Sequence, residues 1–524
     1  MTTDVLTATP SLLAPGVQAP FTTASPPPGF ADLHLDVALT GAGPFQRAVW
    51  YAPPSEPGTV TYRQEVVAEL REPGFRDAAT RLVAATGRAR QSLDAFRKAP
   101  YRVPAELQLA AAIGRYTRVI GEVTSELDEL RPSAAGLRDL AGHLAGYVAG
   151  REFRELAEST VLARIRLGTV ELGIRSGTVW ADRDAGRPGW GEQIERTFSR
   201  FHEPGQQVEP DWSRPRRYLN HVEAQAIGLL AGLFPDLFAE LHGFVGAHSD
   251  FLPATLEQLA EELRFYLDFL KLTDDLSTRG VAWCLPRLSP DGGAPVRVSG
   301  MVDLALAVGA ATVAEHHSDK LEQQESSRAL QGPIANDLTL TGGEQVAFVT
   351  GPNQGGKTTF ARSFGQLAYL AGLGLPVPAR TAALPWFRPV LTHFPAPDDP
   401  DHDRGGLADE LHRLHEVMAA AGPHTLLIFN ELFSATSAAD ALQLSARVVE
   451  QLRRLGCRVV WVTFLEELVL DTAGAVSLVG QVEPGDVTRP TFRFLPQPPG
   501  GRSHAVALAA RHGLSGADLE ERLS

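Results

Sequence analysis

Residues 350–359 read TGPNQGGKTT. Gly351, four further residues and then Gly356-Lys357-Thr358 satisfy G-x-x-x-x-G-K-[ST] in full, the pattern of a phosphate-binding loop. The run Gln345-Val346-Ala347-Phe348-Val349 reads as a strand entering the loop, and residues 359–370 read as a helix leaving it. A loop of this kind works through its backbone. Glycines let the chain wrap closely, while free amides and the helix N-terminus supply positive potential. The nucleotide-binding residues expected are Gly351, Pro352, Asn353, Gln354, Gly355, Gly356, Lys357, Thr358 and Thr359. Lys357 is expected to reach the outer phosphates of ATP, and the Thr358 hydroxyl to bind Mg²⁺.

A second apolar run, Thr425-Leu426-Leu427-Ile428-Phe429, ends in Asn430-Glu431. In many ATPases this position reads Asp-Glu, the aspartate holding the metal's water and the glutamate acting as general base. Glu431 is therefore the candidate catalytic base. Asn430 keeps an acceptor oxygen for a metal-bound water but carries no charge, which weakens the expected metal affinity. A third run, Val459-Val460-Trp461-Val462-Thr463, ends at Phe464, where related ATPases often carry a histidine. A phenyl ring donates no hydrogen bond, so that contact is absent.

Working outward, 524 residues suffice for several domains, and 44% hydrophobic with 21% charged residues describes a globular chain. Residues 1–29, rich in Pro, Thr, Ser and Ala, read as a disordered tail. Residues 30–295 read as mostly helical: Leu107, Ala110, Ala111, Ile113, Tyr116, Val119, Ile120 and Val123 recur at helical spacing. A small hairpin is expected near 170–182, turning at Ser176-Gly177, and an amphipathic helix with an aromatic stripe, read as core packing, at 256–270. Proline and glycine in 286–295 mark a boundary, and residues 296–524 read as an α/β unit with strands at 345–350, 425–429 and 458–463. Two cysteines with no C-x-x-C or His/Cys cluster suggest neither a disulfide framework nor a zinc site, and no long apolar run or leader-like start suggests a membrane span or secretion, so a cytoplasmic protein is expected, nucleoid association included. The net charge of −14 argues against bulk coating of nucleic acid. Two local basic stretches stand against this: arginines 71, 76, 81, 88, 90, 97 and 102 with Lys98, and Ser213-Arg214-Pro215-Arg216-Arg217.

TGPNQGGKTT followed by Leu375-Pro376-Val377-Pro378-Ala379 resembles the ATPase domain of the MutS DNA mismatch-repair family, whose TGPN-x-GGKST loop precedes a helix and a VPA segment. Pro333-Ile334-Ala335-Asn336-Asp337 resembles that family's Asn-Asp element. Gly405-Gly406-Leu407-Ala408-Asp409-Glu410-Leu411 sits where the family has its signature helix. Phe433-Ser434-Ala435-Thr436-Ser437 stands in place of its Gly-Arg-Gly-Thr-Ser stretch. The resemblance is close over 330–470 and loose over 60–520. It implies a helical lever and core region followed by an ABC-like, MutS-type P-loop NTPase domain, hence an α plus α/β fold. It also implies a homodimer in which Gly405, Gly406 and Thr436 face the partner's nucleotide, with ATP-dependent movement passed to a DNA clamp. Gly405, Asn430 and Phe464 depart from the pattern, so nucleotide binding with slow hydrolysis is expected. No Phe-x-Glu mismatch wedge is found before residue 60. A nucleotide-gated scaffold that binds protein and no DNA remains an open alternative, as does a small-molecule kinase.

Overall fold

The computed structural model describes residues 10–16, 25–39, 43–167, 170–175, 178–183, 221–316, 333–395, 406–484 and 486–499. The chain divides into two compact units, one of Met1–Leu12 with Glu72–Arg264 and the other of Leu13–Arg71 with Phe265–Ser524.

The first unit is helical, and its hub is Arg102–Leu130, on which the helices Pro73–Lys98, Ala135–Ala149, Arg151–Leu167 and Pro235–Ala247 pack. The expected stripe faces that core. Ala110, Ile113, Tyr116, Ile120 and Val123 are buried, Leu107 and Val119 are half-buried, and Ala111 alone is exposed. The hub ends at Arg131, in a left-handed conformation directly before Pro132. The strands β1 (Val170–Arg175) and β2 (Thr178–Arg183) form the expected antiparallel hairpin, with Val170 opposite Arg183; its turn at 176–177 lies outside the described residues. No single helix among the described residues is long and apolar enough to cross a membrane. The bent pair Ile227–Leu233 and Pro235–Ala247, meeting at 112°, passes that test only when its halves are taken together.

Part of the tail expected to be disordered is packed. The buried Glu262 carboxylate accepts hydrogen bonds from Ser11 Oγ at 3.0 Å and the Leu12 amide at 2.6 Å, and the Leu12 and Leu13 side chains are buried. Two adjacent leucines and a carboxylate that secures the backbone outweigh the polar composition around them.

The second unit holds two sheets. The larger follows the order β12-β11-β6-β10-β9-β8. Its strands are β6 (Val346–Thr350), β8 (Val390–His393), β9 (Leu426–Asn430), β10 (Arg458–Val462), β11 (Val476–Glu483) and β12 (Asp486–Pro496). All are parallel except β12. The three strands expected from sequence are its centre, and their continuous apolar runs are those of strands covered on both faces. The smaller sheet follows β3-β7-β4-β5, from β3 (Arg287–Ser289), β4 (Val296–Met301), β5 (Asn336–Leu340) and β7 (Thr381–Pro385). Because β3 pairs with β7, this sheet draws on both sides of the expected 295/296 boundary.

The helix Lys357–Gly372 leaves β6 and is buried around nearly its whole circumference. One side lies on the sheet. The other is covered by residues 29–39 and 43–51, which the sequence had assigned away from this unit. A Cβ at Gly365 would meet Leu33 at 2.4 Å and Ile428 at 3.3 Å, so a glycine here lets cover and sheet approach together. Backbone carbonyls then catch the helix's polar side chains: Arg362 Nε donates to Asp32 O at 3.0 Å, Gln366 Nε2 to Leu33 O at 2.9 Å and Tyr369 Oη to Trp50 O at 2.6 Å. Trp50 itself packs against Phe265 and Phe269, so the expected aromatic stripe is core.

Gln366 is the joint of this arrangement, since its Oε1 also accepts the Leu304 amide at 2.8 Å. Gln366→Leu removes both partners and leaves a buried amide and a buried carbonyl unpaired. We expect a loss of about 3 kcal/mol in chemical denaturation of the second unit.

Candidate nucleotide-binding site

The parallel register aligns Val349 with Val462 and Val462 with Asn430, so β6, β10 and β9 end together. The carboxyl edge of such a sheet is where ligands bind in open α/β folds. Beyond β6 the backbone turns through positive φ at Gly351 (132°), Gln354 (60°) and Gly356 (84°), and Gly356 caps the helix Lys357–Gly372. A side chain at Gly356 would be strained by φ and would also meet the Phe492 ring at 3.1 Å. The buried Lys357 ammonium donates to Gly351 O (3.2 Å), Pro352 O (3.3 Å) and Asn353 Oδ1 (3.1 Å), so it lies over the inside of the loop. Burial pushes its pKa down, and the charge of Glu431 partly offsets that.

The two metal-side groups expected from sequence are in contact: the Thr358 hydroxyl donates to Asn430 Oδ1 at 2.9 Å. Glu431 Oε1 lies 4.0 Å from Lys357 Nζ. Neutral hydroxyl and amide oxygens beside one carboxylate are a hard oxygen set, as Mg²⁺ requires, with one negative charge fewer than an Asp-Glu pair would supply. Pro352, Gly355 and Thr359 lie in the same loop and first helical turn. Phe464 follows β10, is half-exposed and offers no donor, as its identity dictates.

Of the expected partner-facing residues, Gly405 lies outside the described residues, Gly406 opens the helix Gly406–Ala419, and Thr436 lies in the loop after β9. That loop is unusual. Glu431 and Phe433 both adopt left-handed backbone (φ 50° and 60°), at a cost of about 1–2 kcal/mol each for residues with a Cβ. The Glu431 amide is held by Val462 O at 2.9 Å, and the Phe433 amide by Glu410 Oε1 at 2.6 Å.

Sequence reasoning missed Glu410 as an anchor and Phe492 as a wall. Glu410 was visible only as part of the signature-like segment. Phe492 is placed by Asn336, whose Nδ2 donates to Phe492 O (3.0 Å) and whose Oδ1 accepts the Phe494 amide (2.9 Å). Asp337 accepts the Gly300 amide at 2.7 Å, so the Asn-Asp element ties β5 to β12 and β4. The VPA segment is also structural. Val377 exchanges two backbone hydrogen bonds with Cys284, and Val302 N donates to Pro378 O.

The first basic stretch is less basic than it reads. Arg81 pairs with Glu122 and Glu126, Arg90 with Glu257, Arg97 with Asp94 and Asp250, and Arg102 with Glu106. The second, at 213–217, lies outside the described residues.

A parallel strand, a loop with these torsions and a capped helix define a P-loop nucleotide-binding unit. Residues 347–482 match the family profile described as MutS domain V. The DNA mismatch repair protein MutS of Shouchella clausii is 31% identical over 136 residues, 26% of this chain and 16% of that protein. The MutS of Granulibacter bethesdensis is 29% identical over 229 residues, covering 43% and 22%. The Endonuclease MutS2 of Gemmatimonas aurantiaca is 31% identical over 194 residues, covering 36% and 23%. The similarity to the MutS family lies in the C-terminal part of the chain, at low identity. The matched segments span less than a quarter of these relatives' own lengths.

The neutral Asn430 yields a direct prediction. Asn430→Asp places a carboxylate beside the Thr358 hydroxyl and should tighten Mg²⁺ on the order of tenfold in the presence of ATP. A Mg²⁺ titration of ATP binding measures this.

Proposed function

We propose that this chain is an ATP-binding, MutS-like clamp on DNA, acting as a homodimer in mismatch repair or a related repair or recombination process and hydrolysing ATP slowly. The observation that carries this reading is the cluster of Lys357, Thr358, Asn430 and Glu431 at the aligned ends of β6 and β9, within the stretch that matches MutS domain V. In the proposed site, the amides of residues 351–359 and the Lys357 ammonium hold the phosphates of ATP. Thr358 and, through a water, Asn430 hold Mg²⁺, which when bound neutralises phosphate charge. Glu431 orients and deprotonates the attacking water. Gly406 and Thr436, with Gly405, face the nucleotide of the second copy, so that ATP changes the geometry of the dimer and the helical unit grips or releases DNA.

Slow turnover follows from missing charge and donors. Asn430 in place of a carboxylate and Phe464 in place of a histidine each remove one preorganised contact, a change worth about 2–4 kcal/mol in a transition state. Binding retains the loop amides, Lys357 and Thr358.

The second reading, a nucleotide-gated scaffold that binds protein and no DNA, is favoured by one specific observation. Four arginines of the first basic stretch are engaged by carboxylates, which reduces the field available to a phosphate backbone.

ATP turnover measured with and without branched, mismatched and perfect duplex DNA separates the two. The clamp reading predicts DNA-stimulated turnover, at least tenfold reduced in Glu431→Ala, and DNA retention on filters that falls steeply with salt. No retention of any DNA, with turnover indifferent to it, would leave the scaffold reading in place.

A further inference from the structure

The geometry points to Glu410 as the positioning residue that sets the backbone of the Glu431 loop, and we propose that ATP turnover depends on it although it touches no phosphate-loop residue in the hydrogen bonds described. The inference rests on the reading of Glu431 as the base. Glu431 and Phe433 are both left-handed with one residue between them, a conformation that side-chain-bearing residues do not hold unaided. Two amides of this turn, those of Glu431 and Phe433, donate hydrogen bonds to acceptors outside it. The Glu431 amide donates to Val462 O of β10, which belongs to the sheet's central register. The Phe433 amide donates to Glu410 Oε1, the only one of the two acceptors that is a side chain and so can be removed by substitution.

Glu410 is itself well placed to hold still. It lies in the second turn of the helix Gly406–Ala419, whose Leu414 and Met418 are buried with Leu432, Phe433, Phe429 and Leu391. Its side chain is 12% exposed, and His393 Nε2 at the end of β8 lies 3.9 Å from the same Oε1. Burial raises the Glu410 pKa, but His393, the Phe433 amide and Arg413 outweigh this and bring it below the ordinary carboxylate value. Glu410 is thereby kept as a charged acceptor, and a charge-assisted bond to an amide is stronger than a neutral one. Without it, Phe433 N–H is a buried donor with no protein acceptor, and relaxation of Phe433 out of left-handed backbone carries Glu431, two residues away, off its line to the Lys357 side of the site.

The test compares full-length wild type, Glu410→Ala and Glu410→Gln by three measurements: amide hydrogen exchange of a peptide covering residues 430–437, equilibrium binding of ATP with Mg²⁺, and single-turnover ATP hydrolysis. Glu410→Ala should accelerate exchange in that peptide at least tenfold and lower the hydrolysis rate at least tenfold, with ATP affinity within twofold of wild type. Glu410→Gln, whose amide oxygen still accepts the Phe433 N–H, should recover most of both losses. Unchanged exchange at 430–437 in Glu410→Ala overturns the proposal, as does faster exchange with unchanged turnover, or a fall in ATP affinity that matches the fall in rate. If exchange accelerates throughout the chain, the role is general stability, and the proposal is again overturned. Absence of turnover in wild type defeats the reading of Glu431 and the catalytic half of this proposal, while the exchange measurement separately decides whether Glu410 holds the loop.

Discussion

The helix Lys357–Gly372 is buried on nearly every side, polar side chains included, so it has to be covered all round and its polar groups given partners. The sheet covers one face. Much of the remainder is covered by residues 29–39 and 43–51, which come from the far end of the chain and are secured through the carbonyls of Asp32, Leu33 and Trp50. The phosphate loop is thus mounted on a helix that cannot tilt without breaking hydrogen bonds at Arg362, Gln366 and Tyr369, the last two of them buried. Lys357 and Thr358, in its first turn, inherit that rigidity. A loop that recognises phosphate through backbone amides gains from such a mounting, because preorganised donors need no reordering when the ligand arrives.

Around this fixed element, charge is sparing. The side chains gathered at the ends of β6 and β9 are one cation, Lys357, one carboxylate, Glu431, and two neutral oxygens that bond each other, Thr358 and Asn430. An aspartate at 430 would add a second negative charge to hold Mg²⁺; the asparagine preserves the geometry and gives up the charge. Beside this site, Glu431 and Phe433 keep left-handed backbone, with an amide anchored at each. The picture is of a site built with care for position and with restraint in electrostatics, which suits a nucleotide that is held and sensed more than one that is rapidly consumed.

Much of this was legible in the sequence, for identifiable reasons. The strands at 346–350, 426–430 and 458–462 announce themselves because parallel strands covered on both faces are uninterrupted apolar runs, and the loop because its glycines answer to torsions few other residues adopt. The Thr358–Asn430 contact follows once Thr358 is placed in the first turn of the helix after β6 and Asn430 at the end of β9, two strands along in the sheet. What stayed hidden depends on backbone partners. Asp32, Leu33 and Trp50 serve through carbonyls that any residue carries, so no pattern in residues 29–51 reveals which unit they cover. Glu262 and Glu410 bind amides of other segments, and Asn336 fixes β12 in the same way; the family-like segments contain Glu410 and Asn336 but do not say what each holds, and nothing marks Glu262 out. The paired arginines of the helical unit make the converse point: their acids lie on other helices or a turn away, and a one-dimensional count registers only the basic members.

The central claim is that this loop holds ATP through Lys357 and its helix N-terminus. Calorimetric titration of the full chain with ATP and Mg²⁺, wild type beside Lys357→Ala, tests it most directly. The account predicts saturable one-site binding by wild type, weakened at least a hundredfold in Lys357→Ala. Equal affinity in both, or no binding heat in either, would contradict it.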